Sequence, residues 1–98
     1  MKYSKFRNAD NSMHSEYMKL VKTLARNVQQ LMIQKGYSQS ELARVSGVPQ
    51  PTISRCITGV GAPSAFALVA LASALGNDKR SYKVEDLLSE IEFSKNCL

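Results

Sequence analysis

Between residues 17 and 32 the apolar positions are Tyr17, Met18, Val21, Leu24, Val28, Leu31 and Met32. Steps of three and four residues wind these into one stripe, which predicts an amphipathic helix from about Ser15 to Lys35, closed by Gly36 as a C-cap. Ser38 then stands where an N-cap belongs and Glu41, three residues on, completes a capping box. A second helix therefore opens at Gln39 and runs to about Ser46, with Leu42, Ala43 and Val45 apolar. Gly47 supplies a left-handed turn and Val48 a buried pivot. A third helix starts among Pro49 to Pro51, because a first turn tolerates proline, and closes near Thr58 and Gly59. Pro51 biases Gln50 away from helical angles, so Gln50 is expected as the cap rather than the first helical residue.

Residues 59–63, GVGAP, read as a loop, and Ser64 caps a fourth helix that runs through Leu75 to Gly76. A polar, basic connector, NDKRSYK, leads to a last helix over roughly Val84 to Phe93 that turns Leu87, Leu88 and Ile91 inward. No stretch alternates at the period of a strand, and no internal repeat occurs. The expected fold is one all-α domain of five helices over residues 15–93, preceded by a flexible basic arm (1–14) and followed by a short tail (94–98).

Charge changes this picture. The chain carries a formal net charge of +5, but residues 84–98 hold four carboxylates against Lys95, a net −3, so residues 1–83 hold +8. A basic body of that kind suits an acidic partner such as nucleic acid. The composition points away from several other classes. There is no Trp, and 7 % aromatic residues disfavour an aromatic-lined pocket or a stacking platform for single strands. Cys56, Cys97 and the lone His14 match no metal spacing, so no metal and no cofactor are expected, and both thiols are expected reduced. Without paired carboxylates in a framework or a glycine-rich phosphate loop, the chain does not read as an enzyme. No apolar run approaches the ~20 residues of a membrane span, and MKYSKFRNADNS lacks the apolar core of a secretory signal, so a cytoplasmic protein is expected.

The stretch SQSELARVSGVPQPTISRCITG, residues 38–59, then stands out. Counted from Gln39, Ala43 is fifth, Gly47 ninth, Val48 tenth, Ile53 fifteenth and Cys56 eighteenth. Two short helices joined by a sharp turn need a small residue where they approach, a glycine at the turn, and apolar residues at the shared core. This spacing resembles the helix-turn-helix of phage-repressor-type proteins, the Cro/CI or XRE-like family. PSAFALVALASALGN and VEDLLS are similar to its fourth helix and to the start of its fifth, and the resemblance covers about residues 20–93. Many members pair an Arg near position 32 with a Glu near position 57; Met32 and Ile57 stand there in this chain, an apolar pair that strands no charge.

The resemblance implies a lambda-repressor-like domain whose third helix, at about 50–58, lies in the major groove of double-stranded DNA. Helical geometry agrees: with Ile53, Cys56 and Ile57 inward, the outer face carries Gln50, Pro51, Ser54, Arg55 and Thr58. Base contacts are expected from Gln50 to adenine, Arg55 to guanine, Pro51 to a thymine methyl, and Ser54. Phosphate contacts are expected from Gln39, at the position where the family makes one, and from Thr52 and Thr58. Cys56 is expected as a core residue rather than a sensor. The implied function is a transcriptional regulator, a repressor binding a palindromic operator as a homodimer through Leu87, Leu88 and Ile91. The alternative is an antitoxin that neutralises a toxin and autoregulates, and a toxin or antirepressor is the protein partner that these two readings allow.

Overall fold

The computed structural model describes residues 10–77 and 80–91, with side chains from residue 13 onward. Five helices and no strand occur among the described residues: α1 (Asp10–Lys35), α2 (Gln39–Ser46), α3 (Gln50–Ile57), α4 (Ala65–Leu75) and α5 (Val84–Leu87). The all-α architecture is the expected one. The outer boundaries of the first and last helices differ. The first helix begins at Asp10, five residues before the expected Ser15, so positions 10–14 of the expected arm are helical. DNSMH contains no glycine or proline to break a helix, which removes any reason to stop at Ser15. Residues 1–9 of the arm and the tail at 94–98 lie outside the described residues.

The last helix is a single turn rather than the expected run to Phe93, which lies outside the described residues. Its end has a physical cause. Asn27, fully buried on α1, donates through Nδ2 to Leu87 O (2.8 Å) and to Ser89 O (2.7 Å). Those carbonyls are turned toward α1 and away from a continuing helical ladder. Asp86 O also accepts from the Ser89 hydroxyl at 2.9 Å.

One core joins all five helices. Leu24, Val28, Leu31 and Met32 of α1 meet Leu42, Val48, Ile53 and Cys56 of the helix pair, Leu68, Leu71 and Leu75 of α4, and Leu87 and Ile91. Met32 is buried and Ile57 packs against the same cluster, so the apolar pair sits within the core as the swap required. Helix ends are tied across the fold: Lys35 Nζ donates to Gly76 O at 2.6 Å, locking the C-terminus of α1 to that of α4, and lies over the Tyr37 ring. Gly76 ends α4 by a different device from a left-handed cap, since its φ is −76°. A Cβ there would lie 3.1 Å from Arg80 O and 3.2 Å from Ser81 Cα, so glycine is needed for the close return of the connector.

Candidate nucleic-acid interface

The helix pair is built as its residues dictate. The Ser38 hydroxyl accepts from Glu41 N–H at 3.1 Å while Glu41 Oε1 accepts from Ser38 N–H at 3.2 Å, a complete capping box. Gly47 closes α2 at φ +78°, ψ 4°, the left-handed geometry that turns the chain into α3. Gln50 is the first residue of α3 rather than the expected cap; Pro49 is the N-cap and Pro51 stands in the first turn, where the missing amide donors cost nothing. No side chain caps this end; Pro49 O accepts from Thr52 N–H (3.0 Å) and Ile53 N–H (3.2 Å), which closes the first turn.

The third helix is divided sharply by burial. Ile53 and Cys56 are buried; Gln50, Pro51, Arg55 and Thr58 are exposed; Thr52 and Ser54 are half-buried. The four residues expected at base edges therefore share the outer face of one two-turn helix. Arg55 is exposed, and its guanidinium engages no hydrogen bond or ion pair to any described residue. Gln50 is preoriented, because its Oε1 accepts from the Ser40 hydroxyl at 3.3 Å. Gln39 is half-buried at the start of α2, next in sequence to the Ser40 that bonds Gln50. Thr58 is differently disposed: its hydroxyl donates back to Ser54 O (2.9 Å) and Arg55 O (3.2 Å), so its proton is committed to the helix end.

Position is enforced from behind. Gln29 of α1 donates through Nε2 to Ile57 O at 2.6 Å, tying the C-terminal end of α3 to the long helix. Sequence reasoning missed Ser40, Gln29, Asn27 and Lys35. Each acts on a group far along the chain, and only the period of α1 hinted that its inward positions would meet other helices. Cys56 is core, and burial pushes its thiol from 9.0 up to about 11, which keeps it protonated and slow to react. Of the three residues expected to dimerise, Leu87 and Ile91 are spent in the chain's own core, and Leu88 is half-buried at its edge.

A capped helix, a left-handed glycine turn and a second helix with a polar outer face define a helix-turn-helix DNA-binding protein. A family model described as helix-turn-helix matches residues 28–80, and the chain belongs to that family, the XRE-like class of DNA-binding transcriptional regulators rather than of enzymes. The match is narrower than the resemblance over residues 20–93, and leaves the first eighteen described residues of α1 outside it. No curated protein and no solved structure matches the chain. No described helix is long and apolar enough to cross a membrane.

Proposed function

We propose that the protein is a repressor that binds a palindromic operator as a homodimer, with α3 in the major groove and Gln50, Pro51, Ser54 and Arg55 at base edges. The single observation that carries this reading is the outer face of α3. It presents an amide, an apolar ring, a hydroxyl and an uncommitted guanidinium on a helix held by its core side, its turn and its far end. A duplex groove takes a helix of that width, and its bases offer matching donors and acceptors. Gln39 and Thr52 flank the face and are assigned to phosphates; Thr58 reaches one only by releasing Ser54 O.

The homodimer follows from reach. One two-turn helix reads only a few base pairs, and a second copy a helical turn away doubles the site. The antitoxin reading rests on an arm and tail of which residues 1–9 and 92–98 lie outside the described residues, and no described feature favours it. Selection of bound sequences from random duplex DNA tests the proposal. Two inverted half-sites with centres ~10–10.5 bp or a multiple apart are expected. A single asymmetric site removes the homodimer, and recovery of no sequence preference removes operator binding.

A further inference from the structure

We propose that Tyr17, on the part of α1 that precedes the family-matched segment, is a DNA-binding residue whose hydroxyl donates to a backbone phosphate beside the groove that Arg55 enters. The inference rests on the assignment of α3 as the helix that reads DNA, and extends the interface to a stretch of α1 outside the family-matched segment.

Three observations converge on this residue. First, Tyr17 is 46 % exposed although a ring of that size on a core helix ordinarily buries itself; it stands among exposed Met13 and Leu20 where α1 leaves the core. Second, its oxygen accepts from Ala62 N–H at 3.3 Å, in the loop that follows α3. A phenol has one proton to give, and accepting from the amide leaves that proton for an outside acceptor, with the amide polarising the O–H and strengthening its donation. Third, the hydroxyl and the Arg55 guanidinium both approach Gly61. A Cβ built on Gly61 would sit 3.7 Å from Tyr17 Oη and 4.0 Å from Arg55 Nη2, so both polar heads border the same glycine.

A donor and a guanidinium that border one glycine match the outer wall of a groove, where a phosphodiester oxygen lies next to base edges. Arg55 reaches inward to a base; Tyr17, rigid and shorter in reach beyond its loop contact, meets the strand at the rim. Phosphate contacts of this kind fix register without carrying sequence information. Tyr17 is thus a positioning contact, and it makes the N-terminal half of α1 part of the binding surface.

The test uses the full chain, an operator selected by the wild-type protein and a random duplex, with affinities read by fluorescence anisotropy. Tyr17→Phe keeps the ring and removes the donor. The expected result is a loss of about tenfold in affinity on both duplexes with unchanged base preference, as for one hydrogen bond to a charged oxygen. A series of operators with single methylphosphonates then locates the acceptor. One position per half-site should weaken the wild type about tenfold and leave Tyr17→Phe unaffected. Wild-type affinity in the Phe variant overturns the proposal. So does a variant weakened at every methylphosphonate by the same factor as the wild type, because Tyr17 then only shapes the loop. A wild-type chain that binds no duplex defeats the reading of α3 itself, an outcome distinct from an unchanged Phe variant.

Discussion

At the scale of single residues, Arg55 and Cys56 are neighbours on α3 with opposite fates, one exposed and uncommitted, the other sealed in the core. A guanidinium free of internal partners gives up nothing within the protein on meeting guanine, and its fixed fork matches O6 and N7. Arg55→Ala is expected to cost ~1–3 kcal/mol on the operator and to relax preference at one base pair per half-site. Arg55→Lys should regain charge but only part of the selectivity. Binding measured on the operator and its single-base variants decides this; a uniform loss on all duplexes, rescued by lysine, assigns Arg55 to phosphate instead. Cys56 makes a pH prediction. Its thiol ionises near 9.0 when unfolded and about 11 when folded, so between those values the unfolded chain has lost a proton that the folded chain retains. Stability contributed by this residue is full below pH 9 and falls as pH rises toward 11. In a Cys97→Ser background, the drop in urea midpoint from pH 8 to pH 10 should be larger than in the same chain with Cys56→Ala. Equal drops would mean that the thiol is not buried as described.

At the scale of elements, the helix pair was the most legible part of the chain, because every device in it is local. Ser38 and Glu41 are three residues apart, Gly47 sits at the turn it makes, and burial of Ile53 and Cys56 follows from helical period. The last helix was the least legible, because its length is set by a residue sixty positions away. A run such as VEDLLSEIEF has helical period and no breaker, yet Asn27 takes the carbonyls of Leu87 and Ser89 and ends the helix after one turn. The start of α1 was misjudged for a related reason, since the apolar stripe thins before Tyr17 although nothing there forbids a helix. The role given to Asn27 is testable. Asn27→Leu fits an apolar site but leaves two carbonyls without their donor, one of them in the buried bond to Leu87, and should destabilise the fold by about 2–3 kcal/mol. Denaturant unfolding checks it, and a loss below 0.5 kcal/mol would show that water replaces the amide without penalty.

At the scale of the whole molecule, charge and apolar surface point to two different partners. The +8 over residues 1–83 suits DNA, and because phosphate contacts release condensed counterions, affinity for duplex should fall by orders of magnitude between 50 and 200 mM salt. The partner in the proposed homodimer meets another surface. Truncation after Gly76 would seem the natural test of the last helix, but it strips Leu87 and Ile91 from the core and so unfolds what it means to probe. A surface substitution is needed. Leu88 is only half-buried, and Val69 on the neighbouring helix is 57 % exposed on a stretch, AFALVALASAL, that carries no charged side chain. An isologous interface brings such residues against their own copies about a two-fold axis, so one carboxylate per chain places two like charges together. Val69→Glu lies at an exposed position and should leave the unfolding midpoint within about 0.5 kcal/mol of wild type. Sedimentation of the free protein should shift toward monomer, and affinity for a two-half-site operator should drop toward that for a single half-site. If the variant remains a dimer with full operator affinity, the two copies meet elsewhere than on this α4–α5 surface.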